Sequence, residues 1–318
     1  MARLLVVAPN WIGDALMAQP LLARLRAKEP DLEIDVLAPE WVAPVVRRMP
    51  QVREVIVTPF RHGPLQLGKR WQLGRRLKAN GYRHAIVLPN SWKSALAPLF
   101  AGIPLRSGYV GEARYGLLNL VYRQAEGTMV EHYARLADAP GFAPDEELAA
   151  PQLRFDAAEV AATQAKFGLA GAYAVLCPGA EYGPAKRWPY FADLAARLEL
   201  PTVLLGSRND ASAAAGVPGK NLVGETTLDE AIDLIAGAAK VVSNDSGLMH
   251  VAAALGRPLV ALFGSSSPER TPPQSAAARV LWLKLECSPC YARECPLGHL
   301  RCLRDITVEQ VLAQTGGS

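Results

Sequence analysis

Residues 243–264, SNDSGLMHVAAALGRPLVALFG, set Asp245, Ser246, Gly247 and His250 between two apolar stretches. A strand ending at Ser243 and a helix starting near Gly247 would leave unpaired backbone N–H groups at the helix start. A glycine there lets a ligand approach them, which is the chemistry of an anion site. His250, one turn on, could donate to a phosphate oxygen. The same residues also make a sound helix cap, and a histidine at that spacing also suits a satisfied core position. A second polar junction is CPGAEYGPAKRWP (177–189), where Lys186 and Arg187 precede Pro189 at the first turn of a helix. A lysine ammonium in such a loop reaches a diphosphate as a mobile point charge. A third is VVAPNWIGDALMAQP (6–20), where Asp14 opens a helix as a carboxylate near its positive end.

These junctions need strands to carry them. Apolar runs rich in β-branched residues stand at 3–9, 33–39, 53–59 and 84–90, with helical patterns around 15–28 and 67–79. After a loop-rich stretch at 102–127 and helices near 129–139 and 156–168, a second set begins at 172–179, 201–207, 240–245, 258–264 and 278–284. A last helical pattern spans 307–314. Alternating strands and helices predict parallel sheets covered on both faces, and two sets predict two domains, 1–155 and 156–318. Ligands in such sheets sit beyond the carboxyl ends of the strands, where all three polar junctions fall. Neither half carries G-x-G-x-x-G after its first strand, and the G-x-x-x-x-G-K-[ST] phosphate loop is absent. Hydride transfer and P-loop phosphoryl transfer are therefore unsupported.

The chain of 318 residues has 20% charged residues, 26 glycines and 25 prolines, the make-up of a globular protein with many short loops. Asp14 interrupts the first apolar run before it reaches signal-peptide length, and Arg257-Pro258 breaks the longest apolar stretch. A cytoplasmic location is expected. Residues 1–155 hold 20 Lys and Arg against 14 Asp and Glu, a net +6, whereas 156–318 hold 14 against 16, a net −2. Between Glu54 and Glu112 there is no acid, yet nine Lys and Arg fall there. Such a block draws an anionic partner, although each side chain alone also suits a solvated helix face. CSPCYARECPLGHLRC supplies Cys287, Cys290, Cys295 and Cys302, with His299 between the last two. The C-x-x-C pair admits a structural zinc site, but the later spacings are tighter than in common zinc fingers, and reduced cysteines packing a loop are the first expectation.

The segments PNWIGDALMAQP, LPNSWKSALAPLFAGIP, GEARYGLLN, CPGAEYGPAKRWP, SNDSGLMHVAAALGRPLVALFG and SSPERTPP resemble the ADP-heptose:lipopolysaccharide heptosyltransferases, most closely the heptosyltransferase II branch. The resemblance runs in order along nearly the whole chain. It implies an α/β fold of GT-B glycosyltransferase architecture, two Rossmann-like doubly wound domains facing a cleft, with the acceptor on the N-terminal domain and ADP-heptose on the C-terminal one. It further implies inverting transfer without a catalytic metal or bound cofactor. By resemblance, Asp14 is the catalytic base, and Lys186, Asp245, Ser246, Gly247 and His250 bind the donor. The implied reaction moves L-glycero-D-manno-heptose to the first heptose of the Kdo-lipid A inner core. A heptosyltransferase I-type transfer to Kdo-lipid A is the near alternative, and a nucleotide-sugar 2-epimerase on the same architecture the one of different class. An anionic lipid acceptor places the enzyme peripherally at the inner face of the inner membrane, with no nucleic-acid partner. Arg61, Lys93, Arg106 and Arg114 are the expected acceptor-binding residues.

Overall fold

The structure is a computed structural model that describes residues 2–60, 63–124, 126–142, 144 and 147–316. The chain forms two compact units, Met1–Pro151 and Gln152–Ser318. Leu153 is buried, and its N–H bonds to Ala254 O at 3.0 Å, which ties the segment before residue 156 to the second unit.

In the first unit, six parallel strands are β1 (Arg3–Val7), β2 (Glu33–Ala38), β3 (Val52–Val57), β4 (His84–Val87), β5 (Leu105–Tyr109) and β6 (Leu120–Tyr122). Their order is β3-β2-β1-β4-β5-β6. The central strands are apolar because helices cover both faces, while edge strand β3 has no buried residue along its length. Strands β5 and β6 fall in the stretch read as loop. Their sequences, LRSGY and LVY, are short and contain a glycine. That glycine answers to tertiary packing: a Cβ on Gly108 would sit 2.6 Å from Val87 O, so only a bare Cα lets β5 lie this close to the end of β4.

The second unit repeats the plan with β7 (Ala174–Cys177), β8 (Thr202–Leu204), β9 (Lys220–Asn221), β10 (Lys240–Asn244), β11 (Leu259–Phe263) and β12 (Ala278–Trp282), ordered β12-β11-β10-β7-β8-β9. Both sheets thus reverse direction beside their first strand, at β1/β4 and at β7/β10, where doubly wound sheets open a crevice. Around the second sheet, Leu176, Leu204, Val242 and Leu262 pack with Trp188, Phe191, Leu303 and Ile306 into one apolar cluster.

The expected helix at 15–28 is two helices, Ile12–Met17 and Gln19–Lys28. Pro20 has no N–H to donate to the preceding turn, and Ala18 becomes the joint. Elsewhere, capping boxes start Met129–Ala134 at Thr128 and Val308–Gln314 at Thr307, and Asp156 caps Ala157–Lys166. Among the described residues, no helix is long and apolar enough to cross a membrane.

Candidate active site

In the second unit, the carboxyl ends of β7, β10 and β11 gather the polar residues. Asp245 and Ser246 follow β10 directly, and Ser246 is the N-cap of the helix Gly247–Ala254, its Oγ accepting from Met249 N at 3.4 Å. The loop after β7 comes to meet them. Lys186 Nζ lies 2.5 Å from Asp245 Oδ2, and Ser266, after β11, donates its hydroxyl to the same oxygen. All three groups are largely buried, so the pair is screened by little water. His250 is buried as well, and burial drives its imidazole down to about 4; Asp245 pulls the other way and Lys186 adds to the depression. A neutral imidazole carries one N–H and no charge to oppose a neighbouring ammonium.

Asn244 sets this geometry. Its Nδ2 donates to Pro178 O at 2.7 Å and its Oδ1 accepts from Trp188 N at 3.0 Å, so one side chain clamps both ends of the lysine loop to β10. Trp188 in turn donates from Nε1 to Ile306 O at 2.9 Å, anchoring the loop in the core.

In the first unit, Asp14 is half-buried in the opening turn of Ile12–Met17, just past the carboxyl end of β1. A pocket opens over the ends of β1, β2, β3 and β4, lined among others by Asn10, Trp41, Phe60, Arg70, Ser91 and Lys93. Lys93 is half-buried at its rim and donates from Nζ to Gly63 O at 2.5 Å. Two expected acceptor residues do not suit that role. Arg106 is the second residue of β5, toward the amino end of the strand, and its guanidinium donates to Leu117 O at 2.7 Å and Ile103 O at 2.5 Å. Arg114 is only 3% exposed and spends its donors on Tyr109 O, Pro89 O and the Ser94 hydroxyl. Burial lowers its pKa to about 10, against the pull of Glu112. It is the internal post of the 89–94 loop, made possible by left-handed backbone at Glu112 and Ala113. Arg61 lies outside the described residues.

The model of glycosyltransferase family 9 (heptosyltransferase) matches residues 70–301. The chain belongs to glycosyltransferase family 9. It is 44% identical to lipopolysaccharide heptosyltransferase 2 of Escherichia coli K12, over 98% of this chain and 97% of that one. The solved E. coli ADP-heptose lps heptosyltransferase II superposes with a TM-score of 0.88 at 43% identity, covering 98% of this chain and 97% of the other. Lipopolysaccharide heptosyltransferase 1 of the same organism is 25% identical over 84% of the chain and 89% of that protein. The chain is thus a glycosyltransferase with the two-unit α/β fold of that family.

In this family 9 glycosyltransferase the cysteine-bearing loop supports the lysine loop. Ala185 N donates to Arg293 O at 3.0 Å, and Tyr182 OH donates to Tyr291 O at 2.6 Å. The Tyr182 ring carries Lys186 Nζ at 5.0 Å and the Arg293 guanidinium at 5.4 Å from its centroid. Tyr291 N reaches Ser265 O at 2.7 Å, and Ser288 Oγ reaches Gly264 O at 2.5 Å, so the loop is laced to the end of β11. Among the described residues, no three His, Cys, Asp or Glu side chains stand close enough to hold a metal ion. Cys302 is buried in the core cluster, with its thiol raised to about 11 by burial first and by Cys290, Cys295 and Cys287 next. Sequence reasoning missed Asn244, Ser266 and Arg70. Asn244 and Ser266 stand in quoted motifs, but only the fold shows that they face the lysine loop; Arg70 was one basic residue of nine.

Proposed function

We propose that this protein transfers L-glycero-D-manno-heptose from ADP-heptose to the first heptose of the Kdo-lipid A inner core, with inversion at the anomeric carbon. The observation that carries the reading is the Lys186, Asp245 and Ser266 constellation beside the capped helix Gly247–Ala254, in a chain of family 9. The acceptor hydroxyl attacks the anomeric carbon as the bond to the diphosphate oxygen breaks. Its proton passes to the Asp14 carboxylate, and the leaving ADP keeps the electron pair. The charge growing on the diphosphate is met by Lys186, by the N–H groups at Gly247 and the residue after it, and by neutral His250. These donors are fixed before the reaction begins, so stabilising the charge costs little reorganisation.

The second-type acceptor is favoured by the 44% identity to the E. coli type 2 enzyme against 25% to the type 1 enzyme. An epimerase reading gains nothing from the family match. The acceptor lies on the first unit, whose acid-free block from 55 to 111 complements an anionic lipid, and the protein works at the inner face of the inner membrane. The test is to supply ADP-heptose with either truncated acceptor and look for one added heptose by mass. Transfer to heptosylated Kdo-lipid A is the expected result, and transfer only to Kdo-lipid A would overturn the acceptor assignment. Asp14→Ala should lower kcat by about 10²- to 10⁴-fold while ADP still binds; unchanged turnover in that variant removes Asp14 as the base.

A further inference from the structure

Arg70 is 6% exposed, yet among the described residues no carboxylate pairs with it. Its Nε donates to Leu65 O at 2.6 Å and its Nη1 to Lys93 O at 2.9 Å, and the guanidinium lies 4.2 Å over the Phe60 ring. Those bonds orient the planar group, and among the described residues its charge has no counter-ion and Nη2 has no hydrogen-bond partner. The side chain lines the pocket over the carboxyl ends of β1 to β4. A buried guanidinium without a counter-charge costs folding energy unless something repays it, and proteins keep such groups where a ligand supplies the anion. Trp41, 44% exposed and fixed by Nε1–H to Asn10 O at 2.8 Å, offers a flat apolar face on the same pocket, the usual companion of a sugar ring. Lys93, half-buried, adds a second cation at the rim.

We infer that Arg70 is a specificity-determining residue that binds an anionic oxygen, phosphate or carboxylate, on the acceptor saccharide in this pocket, with Lys93 at the entrance. The inference rests on the proposed acceptor class and deepens it. The carbonyl ties leave one edge of the guanidinium for the ligand, so Arg70 reads position as well as charge.

Calorimetry of acceptor binding without donor tests this independently of turnover. Arg70→Gln should weaken acceptor binding about 10- to 100-fold, the range for a lost hydrogen bond to a charged group, while ADP binding stays unchanged. Arg70→Lys, which keeps the charge and lets the loop at Leu65 fold, should recover part of the loss. Two modified acceptors separate the sources. If phosphate is the anion, phosphatase-treated acceptor binds wild type more weakly but binds Arg70→Gln no more weakly than untreated acceptor does. If carboxylate is the anion, the methyl-esterified acceptor behaves that way instead. Overturning outcomes are equal fractional losses in wild type and variant for both modified acceptors, or unchanged acceptor affinity in a folded Arg70→Gln protein. Failure of heptose transfer by wild type would strike the proposed function, not this binding difference.

Discussion

Asp245 is a carboxylate set where an anionic ligand should meet only donors. Its charge is tolerable because Lys186 and the Ser266 hydroxyl both bind its Oδ2, and the effect is to hold the lysine near the helix start, where the proposed reaction puts the diphosphate. Ser266→Ala should free Asp245 to pull Lys186 more tightly, raising the donor KM about 10-fold with the acceptor KM unmoved. Equal changes in both constants would mean general disruption. Asn244 carries a heavier load. Asn244→Ala orphans the buried Trp188 N–H and releases Pro178 O, at about 1–3 kcal/mol for each group left unsatisfied. Chemical denaturation should show that loss of stability, and donor affinity should fall with it. Neither role follows from residue type, since serine and asparagine at a strand end read first as capping residues. The places of Asp14, past the end of β1, and of Lys186, in the loop after β7, are by contrast legible from the junctions in the sequence.

At the scale of elements, the helix Leu67–Leu77 has two unlike faces. Leu73, Gly74 and Leu77 face inward, and a Cβ on Gly74 would sit 2.5 Å from Phe100 Cβ, so the glycine lets this helix pack hard on Leu96–Phe100. Outward stand Leu67 and Trp71, 51% and 53% exposed, among exposed Lys69, Arg75, Arg76 and Lys78. Exposed apolar side chains ringed by cations suit an anionic bilayer surface, where each basic residue gains about 1 kcal/mol. Sedimentation with phosphatidylglycerol vesicles should therefore drop on Arg75→Glu with Arg76→Glu, and again on Trp71→Ala, while neutral vesicles bind little in every case. Binding to anionic vesicles that survives both changes would sink the docking role. A second element-scale test concerns the loop pair around Lys186. Gly183 has φ +151° and a Cβ there would lie 2.5 Å from Arg293 O, so Gly183→Ala should push the cysteine-bearing loop off the lysine loop and lower kcat/KM for the donor. The strands and the major helices could be read from apolar patterning because burial on both faces leaves long β-branched runs. Strands β5 and β6 could not, because Gly108 and their brevity answer to contacts with β4 that local sequence does not encode.

The whole molecule places a low-pKa histidine in each unit. His84, at the start of β4, shares a 2.7 Å hydrogen bond with Ser107 Oγ, and burial brings it to about 4; His250 in the second unit is also at about 4, again chiefly by burial. In the unfolded chain both return toward 6.5, so between about pH 6.5 and pH 4 the unfolded state binds protons that the folded state refuses. Stability is then flat above neutrality and falls as the pH drops through this window, by on the order of 1 kcal/mol per pH unit for each histidine. The carboxylates held low by ion pairs, such as Asp138 beside Arg24 and Lys28, act in a lower range, because their contribution is lost only below the ordinary carboxylate pKa. The two effects separate near pH 5. A series of thermal melts from pH 7.5 to 5 should show Tm declining below about 6.5, and His84→Gln, which removes one titrating group of the first unit, should make that decline shallower without altering ADP affinity at pH 7.5. A Tm that holds level down to pH 5 in the unaltered protein would mean that neither imidazole is kept neutral by its surroundings, and the uncharged donor assigned to His250 beside the diphosphate would fall with it.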